Sequence, residues 1–208
     1  MGVRIVKKTL IDLQEYFREI EAAYTHRDAY RYIDGDKIVR KTYKTFARDI
    51  FSVASWLVGR GWKNKHIAII GSTSYKWVVT FLGIACSGNV VIPIDKMLST
   101  DEMLRLLEMG DVDAVFLSEE FGAMAHSIRH ADNGVVDILN FESERYDQIL
   151  TTEHVTLPKI DPDALAEILF TSGTTVSARA LCSASVISLP ISEIFTECAL
   201  TAASSIPW

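Results

Sequence analysis

Apolar positions near the start of the chain follow a helical step and then change character. Leu10, Leu13, Phe17, Ile20 and Tyr24 recur at intervals of three and four, which places them on one helical face. Thr9, with Asp12 three residues later, gives that helix a capping-box-like start. After His26 the pattern becomes strand-like over Ala29–Ile33 and Lys37–Arg40. Asp34-Gly35 between the two runs signals a hairpin, because glycine accepts the positive φ of a tight turn. A second amphipathic helix is predicted from Thr42, with Phe46, Ile50, Val53 and Leu57 facing inward and Gly59 and Gly61 placed to end it.

A regular alternation follows. Ile67–Ile70 is a short continuous apolar run, then comes a helix capped by Ser74 and reaching Cys86. Val90–Ile94 is the next run. Ser99 and Glu102 form a capping box for a helix that Gly110 stops. Ala114–Leu117 and Val135–Leu139 are further strands, separated by a helix within Glu119–His130, and Ala166–Phe170 is one more. Strands apolar on both faces, alternating with helices, form βαβ units. The predicted fold class is therefore α/β, a parallel sheet with helices on both faces. Ligands are expected at the carboxyl ends of its strands.

Composition narrows the function classes. The 208 residues allow one large domain or two small ones, and the hydrophobic fraction of 49% with 23% charged residues is that of a soluble globular protein. A formal net charge of -6 argues against a nucleic-acid or anionic-membrane partner. Cys86, Cys182 and Cys198 form no paired framework, so reduced thiols and a cytoplasmic location are expected. Met1–Lys8 lacks the apolar stretch of a signal peptide. Trp77–Ile94 approaches the length of a membrane span, but Ser87, Gly88, Asn89 and Pro93 divide it into helix, turn and strand, so no span is predicted.

The last predicted strand runs into Thr171-Ser172-Gly173-Thr174-Thr175. Hydroxyls, together with a glycine that lets backbone N–H groups turn inward, form a nest of donors suited to a polyphosphate. The spacing of a Walker A loop is absent. On composition alone, a hydroxyl-rich surface turn explains the segment as well.

Leu169-Phe170-Thr171-Ser172-Gly173-Thr174-Thr175 resembles the phosphate-loop signature of the adenylate-forming superfamily, which includes acyl-CoA synthetases and peptide-synthetase adenylation domains. Arg179 stands where that signature carries lysine, and Ala180 where glycine is common. Other segments are similar to the family in the same order: Thr42-Tyr43 opening a helix, Ile67–Ile70 followed by Ser74 and Trp77, Gly88–Asp95 (GNVVIPID), and the helix from Ser99 to Leu104. The resemblance implies AMP-forming ligation. A carboxylic acid and ATP give an acyl-adenylate and pyrophosphate, and the acyl group then passes to coenzyme A, with Mg²⁺ assisting. It also implies that Thr171, Ser172, Gly173, Thr174 and Thr175 cradle phosphates, with Arg179 adding a cation nearby. A bacterial long-chain acyl-CoA synthetase is the family member that it suggests.

The likeness stops near residue 180. Residues 176–208 hold no Lys, Asp or His, and Ser183, Ser185 and Ser188 follow no strand or helix period. The expected organisation is the front portion of an AMP-binding synthetase domain over residues 1–180 and a divergent, poorly ordered tail over residues 181–208. That tail is either native or the product of a frameshift, and the abrupt change in composition favours a frameshift. The family's adenine contacts, magnesium-binding glutamate, hinge and catalytic lysine have no counterpart here. The chain alone is therefore expected to be inactive, with no catalytic residue of its own, and to self-associate through apolar surface. The alternatives are a fragment of another adenylate-forming ligase, a non-catalytic partner-binding protein and an ATP sensor. His126 and His130 have metal-pair spacing but no third ligand, so no metal site is expected. His66, His154 and the acidic run Glu142, Glu144 and Asp147 read as solvated, and Trp56, Trp62 and Trp77 as packing residues.

Overall fold

The computed structural model describes residues 13–131, 134–161, 164–172 and 184–190. Helix α1 (Leu13–Tyr24) buries Leu13 and Phe17. Strands β1 (Asp28–Asp34) and β2 (Lys37–Thr42) form a separate antiparallel hairpin. Asp34 pairs with Lys37, so the turn is Gly35-Asp36, one residue later than the sequence suggests. Gly35 has φ +58°, and a positive φ at the first turn position fits a hairpin turn that glycine prefers.

Helix α2 (Tyr43–Gly59) begins where Thr42 accepts the Thr45 N–H at 3.2 Å. It buries Ile50, Val53 and Leu57 completely and ends before Gly61, whose φ is +73°. The main sheet follows: β3 (His66–Ile70), α3 (Tyr75–Cys86), β4 (Val90–Ile94), α4 (Thr100–Met109) and β5 (Ala114–Leu117). Next come α5 (Gly122–His130), β6 (Asp137–Asn140), α6 (Glu144–Ile149), β7 (Leu165–Ser172) and β8 (Ala184–Pro190). Ser74 caps α3 through the Trp77 N–H, and Ser99 with Glu102 forms the full capping box of α4.

The strand order is β6-β5-β3-β4-β7-β8. The first five strands in that order are parallel, and β8 runs antiparallel to β7. Side-chain alternation divides the interior into two cores. Ile67, Ile69, Val91, Ala114 and Phe116 pack with α1, α2, α3 and α6 on one face. Ala68, Ile70, Ile92, Val115 and Leu117 pack with α4 and α5 on the other. Helices therefore cover both faces, as the apolar strand runs require.

This division has a topological consequence. The connection leaving β3 passes through α3 on the first face toward β4, and the one leaving β5 passes through α5 on the second face toward β6. Neighbouring parallel strands whose connections depart in opposite directions to opposite faces leave a crevice between their carboxyl ends. Here that crevice lies between Gly71 and Ser118. Among the described residues, no helix is long and apolar enough to cross a membrane.

Candidate functional site at the carboxyl edge of the sheet

The five parallel strands end together at Ile70, Ile94, Leu117, Asn140 and Ser172. Close packing fixes the edge after β3 and β5. Ser118 donates its N–H to the Ile70 carbonyl at 3.0 Å. A Cβ on Gly71 would sit 2.0 Å from the Ser118 Oγ, and Gly71 has φ +151°, so only glycine fits. On the β5–β6 side, the two loops that follow these strands are braced by polar bonds. The Glu119 N–H donates to Glu142 Oε2 at 2.9 Å, the Glu142 N–H donates to Asn140 Oδ1 at 2.7 Å, and the Asn140 amide donates to the Glu119 carboxylate. Glu142 therefore braces loops while remaining exposed.

Beyond β3 and β4 a different set of bonds joins the strand ends. Lys96 Nζ donates to Ser72 Oγ at 2.7 Å, and Ser72 Oγ in turn donates to Glu120 Oε1 at 3.3 Å. Asp95 turns the chain after β4 by accepting the Met97 N–H at 2.9 Å. Lys76, in the first turn of α3, is committed elsewhere: it bonds the Phe141 carbonyl at 2.7 Å and Asp147 Oδ1 at 2.9 Å. Lys96 and Ser72 carry no motif, so sequence reasoning passed over them.

Of the sequence-predicted phosphate-binding residues, Thr171 and Ser172 are the last two residues of β7. The strand thus extends two residues beyond Phe170 and takes in the start of the motif. Gly173, Thr174, Thr175 and Arg179 lie outside the described residues. The β4–β7 pairing is parallel, with Val91 opposite Glu167. Ala184–Pro190, for which the serine spacing gives no strand, pairs along β7 with Thr171 opposite Ser185 and Ser172 opposite Ala184.

Two histidines make backbone contacts that their spacing does not signal. His66 Nδ1 donates to the Gly110 carbonyl at 2.6 Å, and His154 Nε2 donates to the Arg48 carbonyl at 3.0 Å with its ring edge-on to Phe51. His66 is half-buried by its contact rather than solvated, whereas His154 stays exposed as expected. A backbone hydrogen-bond partner distant in sequence leaves no local trace, which is why spacing missed them. His126 and His130 are exposed on α5. Trp56, Trp62 and Trp77 pack as anticipated, the first two edge-to-face at 5.9 Å and Trp77 stacked on Phe81 at 5.5 Å. A cavity of about 470 Å³ lies against Arg48, Ser52, Glu153 and His154, and no strand-end residue lines it.

Mg²⁺ takes hard oxygen donors. Among the described residues, no group of three or more His, Cys, Asp or Glu side chains converges. Glu119, Glu120 and Glu142 at the carboxyl edge are each engaged in the bonds above. The described residues therefore do not form a magnesium site.

A parallel sheet of this order, with a Thr-Ser-Gly-Thr-Thr segment leaving one strand at its carboxyl edge, has the fold of the N-terminal domain of adenylate-forming enzymes. The structure superposes on a Mycobacterium tuberculosis fatty acyl CoA synthetase with a TM-score of 0.75 at 19% identity, covering 96% of this chain and 38% of that one. Residues 18–177 match the AMP-binding enzyme family, and the chain belongs to it. A 3-[(3aS,4S,7aS)-7a-methyl-1,5-dioxo-octahydro-1H-inden-4-yl]propanoyl:CoA ligase from Rhodococcus jostii (strain RHA1) is 26% identical over 156 residues, 64% of this chain and 30% of its own length. A D-alanine--D-alanyl carrier protein ligase from Streptococcus pyogenes serotype M5 (strain Manfredo) is 25% identical over 169 residues, 81% of this chain and 30% of its own length. The chain thus spans about 30% of the length of these curated relatives.

Proposed function

We propose that this chain is the phosphate-binding front part of an AMP-forming acid–thiol ligase of the acyl-CoA synthetase type, acting in the cytoplasm. In the complete reaction a carboxylate attacks the α-phosphorus of ATP, pyrophosphate leaves, and the acyl group passes to the thiol of coenzyme A. The observation that carries the reading is that Thr171 and Ser172, which open the Thr-Ser-Gly-Thr-Thr segment, end β7 at the carboxyl edge of the sheet, in a chain of this family. Donors on Thr171, Ser172, Gly173, Thr174 and Thr175 would hold the β- and γ-phosphates, and Arg179 would add positive charge beside them. Positioning and charge stabilisation, rather than covalent help, are what this step needs.

The 208 residues alone are expected to bind ATP weakly and not to complete adenylation, because they span a minor share of the length of their relatives. A fatty acid is the acyl substrate favoured here. A second reading, transfer of an activated acid to a carrier-protein thiol, is favoured by the likeness to the D-alanine ligase over 81% of this chain.

Two assays on the purified chain test the proposal. ATP binding should be saturable and weak, and should be lost on Thr174→Val with Thr175→Val. Exchange of labelled pyrophosphate into ATP should be absent with fatty acids and with D-alanine. Acid-dependent exchange would overturn the claim of inactivity and, by the acid used, choose between the two substrate readings. ATP binding unchanged by the threonine substitutions would overturn the phosphate-loop assignment.

A further inference from the structure

We infer that Pro93 is a positioning residue for β7, the strand that carries Thr171 and Ser172: it interrupts the β4–β7 ladder and frees the carboxyl end of β7 to move against the sheet. The inference rests on the reading of Thr171–Thr175 as the phosphate loop and adds a residue outside that motif.

Along a strand, successive backbone N–H and C=O groups point alternately to the two neighbouring strands. The Val90 N–H donates to the Lys65 carbonyl at 2.8 Å, so the even-numbered residues of β4 bond toward β3. Val91 and Pro93 therefore face β7. Proline has no N–H and inside a sheet removes a ladder bond. Here the missing donor falls on the side of β7.

The pairings follow this division. β3 and β4 stay in register from His66–Val90 to Ile70–Ile94, straight past Pro93. β4 and β7, among the described residues, pair at Val91 and Glu167 and no further. Each of the next two pairs, Ile92 with Ile168 and Pro93 with Leu169, needs an N–H at residue 93 to reach the Ile168 carbonyl. Pro93 is also the one residue of β4 that is not buried. On its other side, β7 stays paired with β8 through Thr171–Ser185 and Ser172–Ala184. The end of β7 thus keeps one neighbour and loses the other over the residues that lead into the phosphate-loop segment. It can shift as a ribbon with β8, with Val91–Glu167 as its last fixed point on β4. A shift of this ribbon is the movement that ATP would select on binding.

Amide hydrogen exchange of the 208-residue chain, read by NMR beside calorimetric titration with ATP, tests this. Pro93→Val supplies the donor and suits a strand. The Phe170 amide, which faces residue 93, should then exchange about fivefold to tenfold more slowly relative to Ile92, which faces β3; that factor is one net hydrogen bond. Pro93→Ala supplies the same donor with less bulk and should give the same result. The new bond must break when the ribbon shifts, so ATP binding should weaken in both variants by up to about tenfold. Extra stability of the sheet alone would not weaken it. Thr174→Val with Thr175→Val should abolish ATP binding and leave Phe170 exchange in the free chain unchanged. Phe170 exchanging as in the parent in both proline variants would overturn the ladder break. Slower exchange with unchanged ATP affinity would overturn the positioning role. ATP binding that is absent from the parent, or that ignores the threonine changes, would overturn the phosphate-loop reading and the positioning role with it, while the exchange rates still report the ladder.

Discussion

Asp49 is 1% exposed in the middle of α2, a position where a carboxylate survives only if its oxygens are satisfied. Arg48 donates to Oδ1 at 2.6 and 2.9 Å, and the Tyr75 hydroxyl donates to Oδ2 at 2.7 Å. Burial, and then the bond to Asp49, push the Tyr75 hydroxyl far above its ordinary range, so it remains a donor at any working pH. Tyr75→Phe keeps the ring contacts with Tyr30 and Tyr32 but strands Oδ2. The expected loss is about 1–3 kcal/mol in urea denaturation, the cost of an unsatisfied buried acceptor. A variant as stable as the parent would show that water reaches Asp49. At the surface, the Ser99 hydroxyl and then its backbone N–H hold the Glu102 carboxyl below the usual carboxylate range. A depressed folded value means that the stabilisation is complete above the unfolded value and is lost as pH falls through the folded one. Exchange of the first-turn amides of α4 should therefore quicken on acidification, and Ser99→Ala should move the Glu102 midpoint upward in a carbon-detected NMR titration.

At the scale of elements, α2 and α3 cross so closely that a Cβ on Gly83 would lie 2.6 Å from Val53 side-chain carbons and 3.1 Å from the Ile50 carbonyl. Gly83→Ala is expected to destabilise by about 1–3 kcal/mol through overpacking. Adding Val53→Ala should cost less than the sum of the two single changes, because the new methyl enters the space vacated; strict additivity would place the strain elsewhere. Most elements were legible because their signals are local. Thr42, Ser74 and Ser99 all cap as their spacing predicts, and each apolar run became a strand. The misses share a cause, since each depends on a partner. β6 spans Asp137–Asn140 rather than Val135–Leu139 because its ladder matches the four residues of β5, leaving Val136 outside and exposed. α6 was read only as a solvated acidic run. Ser143 caps it, and it buries Tyr146 and Ile149 even though Glu142, Glu144 and Asp147 stay exposed. Gly110 does close α4, but not through a left-handed φ. Asp111 takes that conformation at +46°, while Gly110 supplies space, since a Cβ there would come 3.0 Å from Ile92 Cδ1.

Over the whole molecule, the apolar run before them placed Thr171 and Ser172 at the end of a strand, whereas the bond between Lys96 and Ser72 forms only once β3 and β4 are neighbours. The same fold exposes a surface whose consequence belongs to the entire chain. Among the described residues the β1–β2 hairpin pairs only with itself, and near its turn Ile33 and Ile38 sit directly opposite each other at 78% and 65% exposure. Two isoleucines joined across a hairpin, with strand edges open on either side, favour pairing with a second copy. Sedimentation of the chain over a dilution series should give masses above the monomer's 23.2 kDa that fall toward it on dilution. Ile33→Thr with Ile38→Thr keeps β-forming residues but removes the apolar pair, and should shift the series to monomer without changing ATP binding. A parent chain that sediments as 23.2 kDa at every concentration would refute self-association, and association unaffected by the double substitution would move it to another surface. The hairpin is separate from the parallel sheet, so a fall in mass together with unchanged phosphate binding would show that association and ligand binding use different parts of the fold.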